Sequence, residues 1–150
     1  MADKETKVSS SPSRCSCRWQ FLVLALLSSI GLIGELLLME HTGEFVQWIP
    51  VIVCGAVALC SVVLLIARRS PAPLRIIAVL IGLVTIGSGV FGTYEHFEEN
   101  NEYAKDVNSL LDPADRTVLR DTFVAARHPP LAPGAVSLCG LLLALGAMKR

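Results

Sequence analysis

Charged residues are scarce in this chain, and neither sign is in excess. Asp, Glu, Lys and Arg make up 17% of its 150 residues, whereas about a quarter is usual in a soluble domain. The 13 basic and 13 acidic residues balance, which argues against a nucleic-acid-binding protein, because such proteins carry a basic excess. A chain of this length holds one domain at most. The composition therefore disfavours a soluble globular domain.

Catalytic motifs are also lacking. The sequence has no Gly-x-Ser-x-Gly elbow, phosphate-binding loop, His-Glu-x-x-His pair or Cys-x-x-Cys pair. Residues 87–92 match the spacing of the dinucleotide motif GxGxxG, but that motif requires a preceding strand, and these residues lie inside a long apolar run. We therefore predict no catalytic residues.

The five cysteines do not indicate a disulfide scaffold. Cys15 and Cys17 precede the first apolar run and are candidates for S-acylation. Cys54, Cys60 and Cys139 lie within apolar runs, where we expect small packing residues.

Four long apolar runs dominate the chain and predict an all-α membrane protein with four transmembrane helices. Their lengths suit a bilayer core of about 30 Å. The first run is too long for a signal peptide, which has an apolar region of about 7–15 residues. Residues 1–18 are predicted to form a disordered cytoplasmic tail, residues 19–148 the transmembrane domain and residues 149–150 a cytoplasmic end. The predicted spans are residues 19–39, 45–67, 74–94 and 131–148, with an outer loop at 95–130.

The basic residues predict the orientation, because Lys and Arg beside spanning helices stay on the cytoplasmic side. Nine of them fall on one side of the predicted spans: Lys4, Lys7, Arg14, Arg18, Arg68, Arg69, Arg75, Lys149 and Arg150. We therefore predict a multi-pass integral membrane protein with both termini in the cytoplasm.

Acidic residues and histidines gather on the opposite, outer side. The ten acidic residues there are Glu40, Glu44, Glu95, Glu98, Glu99, Glu102, Asp106, Asp112, Asp115 and Asp121. The long outer loop contains Asp112-Pro113, a typical helix start, followed by apolar residues at helical spacing to Ala126. This pattern predicts a short amphipathic helix between helices three and four.

One local pattern occurs twice: Glu-His-x-x-Glu follows both helix one and helix three. If the helix continues for a turn, the His and the later Glu share one face, and such donors suit a transition metal. The repeat suggests two hairpins related by a pseudo-twofold axis, which would bring His41 and His96 together. The candidate ligands for a transition metal or haem are His41, His96, His128, Glu40, Glu44, Glu95 and Glu99. A solvated ion pair is the simpler interpretation of each pattern.

Two polar features lie inside the predicted spans. Glu35 shares a helix face with Ser28 and Gly31, and we expect this face to turn inward, although Glu35 is near enough to the helix end to reach interfacial water. A second stripe, on helix three, suits either a packing seam or a narrow polar path. Its members are Thr85, Ser88, Gly89, Gly92, His96 and Glu99.

These observations favour a small structural or accessory membrane protein that uses its acidic outer surface. The predicted partners are the lipid bilayer and another membrane protein or a second copy, and no nucleic acid. One alternative is a membrane protein that binds a metal or haem through the His/Glu residues. The other is an ion or proton carrier that uses Glu35.

Overall fold

The structure is a computed structural model that describes residues 15–38, 45–67, 70–110 and 132–149. This part of the chain is helical throughout apart from short connections, as the sequence predicts. The four helices are α1 (Cys15–Leu38), α2 (Phe45–Ile66), α3 (Ala72–Ser109) and α4 (Ala132–Met148). Predictions made for residues 111–131, which include the amphipathic helix, lie outside the described residues.

Three of the helices, α1, α2 and α3, are long and apolar enough to cross a membrane. Helix α4 is apolar as well but shorter, with 17 residues. Helix α1 begins at Cys15, so it includes the last four residues of the segment predicted as a tail. The bounds of α2 and α4 lie within one residue of the predicted spans.

Helix α3 is much longer than its predicted span. Its 38 residues extend over about 57 Å at 1.5 Å per residue. No Gly or Pro occurs between Gly92 and Pro113, so nothing in the backbone chemistry stops the helix where the polar residues begin. Residues 95–109, which the sequence analysis assigned to the outer loop, form the last part of this helix. We call them the α3 extension; it is about 22 Å long.

Helices that follow each other in the chain run antiparallel, as do α1 and α4, whereas α2 and α4 run parallel. Helix α1 packs on α2 and α4, and α3 packs on α2 and α4. Helix α2 also packs on α4, so α1 and α3 occupy opposite corners. The pseudo-twofold relation between two hairpins stays a prediction.

Contacts between helix ends show which ends lie together. Arg18 at the start of α1 reaches Leu64 at the end of α2, and Arg75 at the start of α3 reaches Ala147 at the end of α4. Lys149 lies over the ring of Phe21, which joins the end of α4 to the start of α1. We call this end of the bundle the basic end, and the end from which the α3 extension projects the acidic end.

The tightest packing joins α3 to α4. A Cβ atom added to Gly82 would lie 2.7 Å from the carbonyl oxygen of Gly140, and one added to Gly89 would lie 2.6 Å from the backbone nitrogen of Ser137. The Ser137 hydroxyl donates a hydrogen bond to the carbonyl of Ile86 across this contact, at 3.0 Å. Small residues allow such close approach of two helix backbones, which favours helix association in lipid.

The core between the helices is aliphatic, with a few small polar groups. Its buried cluster consists of Leu22, Ala25, Val57, Leu64, Ala78, Cys139, Leu143 and Ala147. Cys54 and Cys139 are fully buried free thiols, and the buried Ser29 hydroxyl donates to the carbonyl of Ala25 at 2.7 Å. Their burial confirms them as packing residues, whereas Cys60 is half-buried.

Candidate functional site

The basic end is held together by arginine side chains that bind backbone carbonyls. Arg18 donates from Nη2 to the carbonyl of Leu64 at 3.1 Å and to the hydroxyl of Ser70 at 2.7 Å. The Ser70 hydroxyl in turn donates to the carbonyl of Ala67. The last carbonyls of a helix have no partner within it and carry a partial negative charge. Arg18 therefore caps the C-terminus of α2.

Arg75 caps the C-terminus of α4 in the same way. Its Nε donates to the carbonyl of Ala147 at 2.8 Å, and its Nη2 donates to the carbonyl of Met148 at 3.0 Å. A guanidinium presents its N–H groups as a planar fork, which suits two neighbouring carbonyls. The residues that predict the cytoplasmic side thus also satisfy helix ends.

The α3 extension presents a different arrangement of charge. Its five acidic residues share one face of the helix at 3.6 residues per turn. Four of them are exposed and Glu95 is half-buried. We call this face the acidic stripe; it consists of Glu95, Glu98, Glu99, Glu102 and Asp106.

The opposite face of the extension is buried. Asn100, Ala104 and Asn108 are at most 2% exposed, and the side-chain nitrogen of Asn108 donates to the carbonyl of Ala104. These residues are four apart, so they form one row along the helix. The burial of this row fixes which way the helix faces, and the acidic stripe is consequently turned outward.

Like charges on the acidic stripe oppose one another. Glu98 and Glu102 are four residues apart, as are Glu102 and Asp106, and each such pair costs about 0.2–0.5 kcal/mol. The last turn of α3 contains no basic residue to offset the negative end of the helix dipole. Lys105 lies three residues after Glu102 and offsets part of this repulsion, and the remaining excess of negative charge is a small electrostatic cost that a further positive charge would reduce.

Only part of the predicted metal or haem site can be located. His41, His128, Glu40 and Glu44 lie outside the described residues. Glu95, His96 and Glu99 lie on the first turns of the α3 extension, and His96 and Glu99 both have interaction partners. Among the residues that the structure describes, no group of three or more His, Cys, Asp or Glu side chains is arranged to hold a metal ion.

Glu35 is exposed on α1. The prediction that Ser28, Gly31 and Glu35 turn inward is wrong, because Gly31 and Glu35 are exposed and Ser28 is only half-buried. The buried face of α1 contains Leu22, Ala25 and Ser29 instead. Glu35 lies one turn from the end of α1 at Leu38, so its carboxylate is near enough to reach the headgroup region of a bilayer.

The stripe of small residues on α3 forms a packing seam. Gly89 and Gly92 contact Pro133 of α4, and Thr85 is fully buried beside Gly140. The Thr85 hydroxyl donates to the carbonyl of Ile81 within its own helix. Helices α1 and α3 occupy opposite corners, so the structure does not bring Glu35 and this stripe together.

Sequence reasoning missed two features that organise the bundle. The first is the seam between α3 and α4. Gly82 continues the small-residue stripe of α3 toward its N-terminus, and α4 has a matching row at Pro133, Ser137 and Gly140. Helical spacing alone could have identified both rows. The arginine caps had no local signal, because each joins residues at least 46 positions apart.

Comparison with protein-family models, curated protein sequences and solved structures finds no match to this chain.

Proposed function

We propose that this chain is an accessory component of a membrane assembly that docks a basic surface of another membrane protein through the acidic stripe. In this proposal the helix bundle spans the membrane, both termini are cytoplasmic, and the α3 extension stands on the outer side. The single observation that carries the proposal is the outward placement of the stripe on a continuous helix.

Three properties of the stripe support a docking role. Its four outer carboxylates are exposed, so a partner can reach them without any rearrangement of the bundle. The helix beneath them is fixed by a buried row at Asn100, Ala104 and Asn108, so little conformational entropy is lost on binding. Mutual repulsion between the acidic side chains is relieved when basic side chains approach.

The charge of the stripe also favours one kind of partner. A second copy of this chain, inserted in the same orientation, would bring an identical acidic face and would be repelled. Arg18, Arg75 and Lys149 lie at the opposite end of the bundle. The α3 extension itself contributes one basic residue, Lys105, against five acidic ones, so two copies side by side keep a large excess of negative charge. The proposed partner is therefore a different protein with Lys or Arg at the level of the α3 extension.

Site-specific cross-linking tests this proposal. A photoreactive phenylalanine analogue replaces Tyr103, which is 44% exposed and lies beside the stripe. Irradiation of membranes from cells that express the protein should give one discrete adduct. The adduct should disappear in the triple variant Glu98→Gln, Glu102→Gln, Asp106→Asn, because that variant has lost the charge that attracts the partner.

The matched control neutralises three carboxylates elsewhere. Asp3→Asn, Glu5→Gln and Glu35→Gln change the net charge by the same amount without touching the stripe. The adduct should persist in this control. An adduct that survives neutralisation of the stripe, or the absence of any adduct in the wild type, would refute the docking role.

A further inference from the structure

The basic end contains a groove that the proposed docking function does not use. It lies between the start of α3 and the end of α4 and has a volume of about 300 Å³. Its lining is aliphatic apart from Arg75, and its outer rim is open, since Ile76 is 59% and Met148 62% exposed. The principal lining residues are Arg75, Ile76, Val79, Leu80, Ala147 and Met148.

Arg75 lines this groove with the carbon stem of its side chain, and its guanidinium is held against the end of α4. Its two hydrogen bonds go to the backbone carbonyls of Ala147 and Met148, which hold the guanidinium in position. A guanidinium has five N–H groups, so it can hold both carbonyls and still donate to another acceptor. Carbonyls carry only partial charge, and no acidic side chain of the described residues pairs with Arg75. The positive charge is therefore held in place but not neutralised.

The neighbouring cation, Lys149, does not line the groove. Its Nζ lies 4.7 Å from the centre of the Phe21 ring on α1. The groove is thus apolar along the helices, and Arg75 is its one charged lining residue. An amphiphilic molecule with a hydrocarbon chain and an anionic head matches this order of chemistry, because the chain packs on the aliphatic lining and the head accepts hydrogen bonds from Arg75.

We propose that this groove binds one anionic phospholipid of the leaflet next to the basic end. One acyl chain lies along Ile76, Val79 and Leu80, and a headgroup phosphate accepts hydrogen bonds from Arg75. This inference rests on insertion of the bundle in a bilayer, but it does not involve the acidic stripe or its partner. The two proposals can consequently fail separately.

Native mass spectrometry of the full chain tests the inference, with phosphatidylglycerol and phosphatidylcholine of identical acyl chains as the probes. The protein is released from mixed micelles that contain equal amounts of the two lipids. We expect wild-type protein to retain phosphatidylglycerol about fivefold more than phosphatidylcholine, the preference that one basic residue near an anionic lipid confers. Equal retention of the two lipids would overturn the proposal.

Two pairs of variants distinguish a site from general attraction. Arg75→Gln should abolish the preference, whereas Arg18→Gln should retain it, although Arg18→Gln also removes one positive charge and one helix cap at the same end. Ile76→Trp should fill the groove and lower retention of both lipids, whereas Ile77→Trp, at an exposed position outside the groove lining, should not. Equal effects within either pair would refute a specific site.

Discussion

The two ends of the bundle use charge in opposite ways. At the basic end, Arg18 and Arg75 donate to helix carbonyls, so each positive charge is matched by the partial negative charge of a helix terminus. At the acidic end, the α3 extension gathers negative charge on one outward face, where neighbouring carboxylates repel one another.

This difference separates charge that stabilises the fold from charge that the fold does not need. Removing a basic side chain from the first end leaves carbonyls without partners. Neutralising an acidic side chain at the second end relieves repulsion between carboxylates. The same chemical change, neutralisation of one charged group, should therefore have opposite effects on stability at the two ends.

The largest effect is expected at the α3–α4 seam, which connects the two ends. Gly89→Ala would place a Cβ atom 2.6 Å from the Ser137 nitrogen and 2.7 Å from the Pro133 carbonyl oxygen, so the two backbones must separate. We expect a loss of about 1–3 kcal/mol in the free energy of unfolding, as for other overpacked cores. Denaturing-detergent titration followed by tryptophan fluorescence measures it.

Gly87→Ala is the control for this change, because nothing lies within 4 Å of the added atom. The free energy of unfolding of this variant should be unchanged or slightly higher, since Ala is the better helix former. If Gly89→Ala and Gly87→Ala have the same free energy of unfolding, α3 and α4 do not approach each other as closely as described.

The second largest change in the free energy of unfolding is expected at the basic end. Arg75→Gln removes two charge-assisted hydrogen bonds to the end of α4. Because the site is partly exposed, we expect a loss of about 1–2 kcal/mol in the free energy of unfolding, below the full value of two such bonds. The same titration measures it, and a variant as stable as the wild type would show that the cap contributes nothing.

The smallest effect, with the opposite sign, is expected at the acidic end. The double variant Glu98→Gln, Glu102→Gln removes an i, i+4 repulsion and should raise the free energy of unfolding by a few tenths of a kcal/mol. Thermal unfolding at about 0.02 M and 0.5 M salt checks the cause, because salt screens exposed charges. The gain should shrink at high salt; a loss of stability at either salt concentration would contradict the comparison.

Much of the fold was predictable, because the bilayer sets the length of an apolar run. The predicted spans for α2 and α4 agree with the helices to within one residue. The α3 extension was not predicted, because the end of an apolar run marks the membrane boundary and not the end of a helix. Glu, Ala and Lys favour a helix, so α3 continues past this boundary as far as Ser109.

The orientation of α1 was predicted wrongly for a related physical reason. In lipid, small residues mark the faces on which helices pack. Helix α1 has small residues on two faces, Ser28 and Gly31 on one and Ala25 and Ser29 on the other, and only the second face is buried. The arginine caps depend on contacts between distant segments, which no local pattern in a single sequence reveals.

The continuity of α3 determines the direction from which a partner approaches. Gly89 packs against α4, and each residue after it rotates the helix by a fixed angle. The packing of Gly89 in the apolar region therefore sets the direction in which the acidic stripe faces. The stripe runs along the axis of α3, so its carboxylates point to the side of the helix. The proposed partner therefore approaches from beside the α3 extension and not along the axis of the bundle.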